Sequence, residues 1–334
     1  MDNHFFEMLP ADEKAAQMLR DFVPKRVIDA HCQFYTAETI PQFAGPEGVF
    51  PQEKSAAEDY IRHMSPLLPG AEVIRLNMIP MPDPSMRKPE VRSKANGHIL
   101  EQVRLHPEHT GSVYILPTDS EETLGAMVSQ PGVGAMKCYC YGVEVANYNA
   151  CAIGDFLPES AWVVSSQTGV PIILHMMRSA ALADPDNLSY VKTMAKRYPD
   201  ARLILAHCAR AFSSWTVVDT VRELVGLDNI WFDVSAVCES APMAACIMHT
   251  AGKRVMWGSD YPICMHRGRV VSLVDGMLWL MDDDAAKIGL KPALIAAENL
   301  LAFRQTCHLL NLDQTQIEDL FYNNAARLFC RETV

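Results

Sequence analysis

Four short apolar runs between Pro171 and Pro262 each stop on a polar residue: PIILH at His175, LILAH at His207, IWFDVS at Asp233 and VMWGSD at Asp260. Each run is β-branched or aromatic and is followed by a helix-compatible stretch. That pattern predicts repeated β-α units whose parallel strands are buried on both faces. The same pattern upstream predicts strands at 26–30, running straight into His31-Cys32-Gln33, and at 72–79, 112–116 and 132–137, the last ending on Lys137. Eight such strands predict an α/β fold, a (β/α)8 TIM barrel, in which all strand C-termini open on one mouth.

Helical spacing predicts segments at 12–22, 55–64, 89–106, 189–197, 214–225, 270–281, 291–310 and 314–329. Asp12 is placed to cap the first, and Asp313 or Thr315 the last. The stretch 34–70 carries Pro41, Gly45, Pro46, Gly48, Pro51, Pro66 and Pro69 around a single helical segment. It is too long for an ordinary connection and predicts a lid or substrate-facing insertion after strand one, with 80–89 a second loop on the same face. The C-terminal helices are extra to the barrel and close its exterior. Residues 1–334 then form a single domain.

Composition narrows the function classes. The chain has 334 residues, 49% of them hydrophobic and 21% charged, with a formal net charge of -11. That balance fits a globular enzyme acting on a small molecule and argues against a nucleic-acid partner. No stretch reaches the roughly 18 apolar residues of a membrane span, so no membrane partner is expected. The first 22 residues lack the basic and apolar regions of a secretory signal, and the ten cysteines are dispersed, so reduced thiols and a cytoplasmic location are expected. Cys138 and Cys140 do not have zinc-finger spacing. A homo-oligomer is compatible with all of this.

The residues at the strand ends carry the candidate chemistry. His31, His175 and Asp260 are borderline-metal ligands from three strands, and three protein ligands with an open position for water make a catalytic site. Asp260 also suits proton transfer, and His207 can act as acid, base or hydrogen-bond donor. Asp233 is expected to cap the following helix. Lys137 sits at the same mouth. Arg178 and Arg210 each follow a strand-end histidine by three residues, in HMMR and HCAR, and are candidates for binding a substrate carboxylate.

In order along the chain, VIDAHCQF, MKCY, PIILH, RLILAHCAR, RVMWGSDYP and FYNNAARLF resemble the amidohydrolase superfamily, in particular its amidohydrolase-2 branch, which includes relatives of aminocarboxymuconate semialdehyde decarboxylase. The resemblance implies a distorted barrel with one divalent metal, commonly zinc with manganese the alternative. It maps the ligands to His31, Gln33, His175 and Asp260, and places His207 beside the metal-bound water or substrate. Gln33 departs from the family's second strand-one histidine, and an amide oxygen is a weaker zinc ligand, so weaker metal retention is expected. The reading that follows is metal-dependent hydrolysis of a small carboxylated, lactone or amide substrate through an activated water. The alternatives are a non-oxidative decarboxylase of an aromatic or unsaturated carboxylate, and a catalytically silent barrel that binds a metabolite.

Overall fold

A computed structural model of the chain describes residues 7–43, 49–50, 52–274 and 276–330. Eight parallel strands run in sequence order: β1 (Arg26–Thr36), β2 (Glu72–Pro80), β3 (Thr110–Tyr114), β4 (Val133–Cys138), β5 (Ile172–Leu174), β6 (Leu203–Leu205), β7 (Ile230–Asp233) and β8 (Val255–Met256). The sheet curls back on itself. Ala30 N–H donates to Trp257 O at 3.1 Å, Asp260 N–H donates to His31 O at 2.8 Å, and Cys32 bridges Tyr261 in parallel. The result is the distorted (β/α)8 barrel that the strand pattern predicts.

Alternation along the strands fills the barrel. Ile28, Ala30, Ile79, Ala135, Ile173, Ile204 and Met256 meet inside it, joined by Leu328 and Phe329 of the C-terminal helix. That helix sits at the N-terminal end of the barrel, because Asn324 Nδ2 donates to Val255 O at 2.6 Å where β8 begins. A second, larger apolar layer lies between the strands and the outer helices.

Five segments depart from expectation. The stretch 270–281 is not helical: it forms an antiparallel hairpin of β9 (Gly268–Leu273) and β10 (Gly276–Met281). Its β-branched Val270-Val271 run favours a strand over the helical spacing of its apolar residues, and Gly276 opens the return strand opposite Leu273. The predicted helix 214–225 shrinks to one turn, Trp215–Val218, and a 3-10 turn, Val221–Leu224. Thr216, Val217, Val218, Thr220 and Val221 lose side-chain freedom in a helix, which accounts for the break. The helices Glu121–Val128, Glu159–Thr168 and Ser240–His249 carry amphipathic patterns too weak to predict them.

The insertion after β1 has two parts. Helix Ala57–Met64 is a buttress, its Tyr60 and Met64 fully buried, whereas Phe43, Val49 and Phe50 reach the mouth of the barrel. Of its turn residues, Gly45, Pro46, Gly48 and Pro51 lie outside the described residues. The first helix, Pro10–Leu19, begins earlier than expected, and Asp12 accepts from Leu9 N–H at 2.8 Å from within the first turn. Asp12 also pairs with Arg267 at 2.7 Å, both buried, which ties the N-terminus to the segment before the hairpin.

Candidate metal centre at the barrel mouth

The local geometry of β1 decides which side chains enter the mouth. Its pairing with β2 shifts register between Asp29 and Cys32, so Ala30 faces the barrel interior while Gln33 lines the mouth and His31 meets His207 and Asp260 beneath it. A regular strand would have sent the odd residues to the other face. Asp29 holds this irregularity. Its carboxylate accepts from His31 N–H at 2.9 Å, from Ser259 N–H at 3.0 Å and from Tyr60 O–H at 2.7 Å. Burial pushes its carboxyl up to about 6.

At the closing seam, Gly258 leaves no room for a side chain: a Cβ there would lie 2.9 Å from His31 Cβ and 3.1 Å from His31 N. Gly258→Ala is therefore expected to push His31 out of place. It should cost about 1–3 kcal/mol in a urea unfolding titration and reduce metal retention in the same sample.

Among the described residues, His31, His207 and Asp260 form one group whose ligand atoms all lie within 4.8 Å of one another, and all three are buried. His31 Nε2 is 3.6 Å from Asp260 Oδ1, and the His31 and His207 rings are 5.0 Å apart. Each imidazole is held through its other nitrogen. His31 Nδ1 is 3.0 Å from Asp233 Oδ2, and His207 Nδ1 is 2.9 Å from the Ser235 carbonyl. Nδ1–H must be the donor to a carboxylate or a carbonyl, so Nε2 of each ring keeps its lone pair. Burial holds both rings below the ordinary histidine pKa, and so neutral at physiological pH.

Asp233 does not cap a helix. Besides His31, it accepts from the His207 N–H at 3.0 Å, the Ser235 N–H at 3.1 Å and the Ser235 hydroxyl. Burial works to raise its carboxyl, but His31, His207 and Ser235 outweigh that and hold it below the ordinary carboxylate range. Sequence reasoning missed this role; the available signal was an aspartate ending a strand between two histidine-bearing ones. The residues from His207 to Arg210 all have positive φ, from 51° to 61°, a left-handed turn directly after β6. Such a run is costly for non-glycine residues, and here it coincides with the position of the His207 ring.

Gln33 turns its amide toward the carboxylate: Nε2 donates to Asp260 Oδ1. Burial raises the Asp260 carboxyl to about 6, opposed by His207, Lys137 and Gln33. His175, partly open to the cavity, packs edge-on against His207 with ring centroids 5.1 Å apart and lies 4.5 Å from the Tyr139 ring, and its Nδ1 has no hydrogen-bond partner. Burial, reinforced by His207 and Lys137, keeps it uncharged. His175 thus faces the group without joining it in this arrangement. Lys137 is buried and lines the same cavity.

The two arginines stand apart. Arg178 pairs with Asp184 at 2.8 Å and Asp186 at 2.7 Å, at the start of helix Pro185–Arg197. Arg210 donates to Arg178 O at 2.9 Å, and burial lowers its pKa. Neither lines the cavity, and together they tie the loops after β5 and β6 to each other.

The cavity of about 230 Å3 is lined by Gln33, Lys137, His175, His207 and Asp260 at its base and by Phe43, Phe50, Tyr139, Tyr141, Phe212 and Trp279 on its walls. Trp279 comes from β10, and its ring is 5.5 Å from that of Phe212, which lies 5.3 Å from the ring of His207. The pattern of the sequence hides these walls, because the apolar residues of 270–281 also satisfy helical spacing and aromatic residues in loops carry no periodic signal.

Two neutral imidazoles with free Nε2 atoms beside a carboxylate fit a divalent cation, and the unpaired buried Nε2 of His31 is otherwise without a partner. Binding should compete with a proton at Asp260. Metal affinity is accordingly expected to be flat at neutral pH and to fall about tenfold for each pH unit below about 6, as measured by competition with a chromophoric chelator.

Fold and site together define a (β/α)8 barrel with histidine and carboxylate groups converging at the C-terminal mouth. The amidohydrolase-2 family model, described as "Amidohydrolase", matches residues 147–331, more than half of the chain, and the protein belongs to that family. No curated protein matches the chain in sequence. Solved structures with the same fold include an amidohydrolase from Burkholderia multivorans with bound zinc (13% identity, TM-score 0.60, covering 92% of this chain and 99% of that one). Two others are decarboxylases. One is 5-carboxyvanillate decarboxylase from Sphingomonas paucimobilis (13% identity, TM-score 0.58, 92% and 100%). The other is a dihydroxybenzoic acid decarboxylase from a Polaromonas species, with manganese and the inhibitor 2-nitroresorcinol (17% identity, TM-score 0.56, 92% and 96%). The family and these neighbours are enzymes, and among the described residues no helix is long and apolar enough to cross a membrane.

Proposed function

We propose that the protein is a metal-dependent hydrolase of a small carboxylated, lactone or amide substrate, with His31, His207 and Asp260 holding one divalent cation, zinc or manganese. The observation that carries this reading is the paired anchoring of His31 by Asp233 and of His207 by the Ser235 carbonyl, which leaves both Nε2 atoms free beside Asp260. A divalent cation bound there supplies Lewis acidity toward a water or a substrate carbonyl. Asp260 is the group placed to take a proton and return it, and the Gln33 amide fixes which of its oxygens is free to do so. Lys137, from the strand across the mouth, offers N–H donors to a substrate oxygen, and His175 faces the substrate beside Tyr139. Phe43, Phe50 and Trp279 restrict water at the opening.

The aromatic walls favour a second reading, a non-oxidative decarboxylase of a flat unsaturated carboxylate, since Tyr139, Tyr141, Phe212 and Trp279 offer faces and edges to a ring. A product screen on metal-loaded protein separates the two. Water added across a lactone or amide, with no carbon dioxide released from aromatic carboxylates, supports hydrolysis; carbon dioxide release without hydrolysis replaces it with the second reading.

A further inference from the structure

Lys137 is the one lysine or arginine among the described residues lining the cavity. Strand β4 sends Ala135 into the apolar barrel interior, and strand alternation puts Lys137, two residues on, over the same face at the mouth. The side chain is 1% exposed, yet among the described residues no hydrogen bond or ion pair reaches its Nζ. Asp233 and Asp260 act on it only through space, and burial outweighs them, so its pKa lies below that of an ordinary lysine. A buried lysine kept only for structure is normally clamped by a carboxylate, which holds it charged and unreactive. Lys137 lacks that clamp. It opens instead onto a cavity shared with Tyr139 and His175.

We propose that Lys137 is a nucleophile that forms an imine with an aldehyde or ketone bound in the cavity, a route to carbonyl activation that does not require the divalent cation. The lone pair of Nζ, in the amine's unprotonated form, adds to the carbonyl carbon. The carbonyl π pair moves to oxygen, which takes a proton, while nitrogen gives one up. The hydroxyl then leaves with a further proton as water while the nitrogen lone pair closes the C=N bond, and the iminium nitrogen gives up its remaining proton, so that the proton taken up is returned. Amine and carbonyl become imine and water, with no oxidant or reductant consumed. The imine is an electron sink for a bond broken at the neighbouring carbon, so the substrate class is a small carbonyl compound, with an aromatic or unsaturated body to match the walls.

The test uses the full-length protein, metal-loaded and chelator-treated, at neutral pH with benzaldehyde and sodium cyanoborohydride, which reduces an imine to a stable benzylamine. Intact mass and peptide mapping then locate and time the label. The expected result is one benzyl group on Lys137, added roughly tenfold or more faster than on any exposed lysine in both preparations. Lys137→Met should lose that fast phase while labelling of the other lysines continues at its wild-type rate. Wild-type protein whose Lys137 is labelled no faster than exposed lysines, or a Lys137→Met variant that keeps the fast phase, would overturn the proposal. Since the chelated protein is tested in parallel, failure here leaves the metal site to be judged on its own measurements.

Discussion

Asp260→Asn is expected to lower turnover by roughly a thousandfold or more while leaving the barrel folded. The substitution keeps the shape of the side chain and a hydrogen bond to Gln33, whose amide can present its oxygen instead, but it removes both the negative charge and the proton acceptor. Stability should move the other way in metal-free protein. Burial raises the folded-state pKa of this carboxyl from 3.8 to about 6, so its favourable contribution to folding is full below the unfolded value and is lost as the pH rises through about 6. At neutral pH the wild type bears the cost of the buried charge, and asparagine does not. Metal-free Asp260→Asn should therefore match or exceed wild type in urea unfolding, by up to about 2–3 kcal/mol. Unchanged circular dichroism with turnover within a few-fold of wild type would remove Asp260 from the chemistry.

The second large effect is expected at Asp233, and it distinguishes a positioning residue from a merely structural one. One carboxylate oxygen accepts from the His207 N–H and from the Ser235 N–H and hydroxyl, whereas the other faces His31 Nδ1. In Asp233→Asn the amide oxygen must stay with the three donors, so the amide nitrogen turns to His31. Two N–H groups cannot face each other, and the His31 proton has to move from Nδ1 to Nε2, where it blocks the lone pair meant for the cation. Metal affinity should fall about 10–100-fold. Nitrogen chemical shifts of His31 in metal-free protein should report the switched tautomer. Asp233→Ala should be worse for the fold, costing about 3–5 kcal/mol, because several buried donors lose their acceptor. An Asp233→Asn variant with wild-type affinity and an unswitched His31 would show that the carboxylate is not what readies the ring.

Much of this architecture was legible in the chain. The eight strands and their polar ends follow from short β-branched runs, because buried parallel strands leave little choice of residue except where they stop at the mouth. Gln33, Lys137, His175, His207 and Asp260 line one cavity, and His31 lies behind them with Nε2 3.6 Å from Asp260 Oδ1. What the pattern could not reveal is register and direction. The bulge that brings His31 and Gln33 to the mouth depends on three hydrogen bonds to Asp29, one of them from Tyr60 of the insertion, far away in sequence. Arg178 and Arg210 have equal spacing after their histidines, yet each is committed to a local partner in the loops. The hairpin carrying Trp279 is hidden because its apolar residues also satisfy helical spacing, and only the β-branched Val270-Val271 run separates the two readings.

Metal content tests most directly whether the mouth holds one divalent cation between His31, His207 and Asp260. Protein purified from cells grown with added zinc and manganese, then dialysed and analysed by plasma emission, should carry about one divalent ion per wild-type chain. His31→Ala and His207→Ala, each still folded by circular dichroism, should carry less than about a tenth of that. Metal lost from His175→Ala but kept by His207→Ala would contradict the assignment of His207 as a ligand. A full complement of metal in His31→Ala would contradict the site itself.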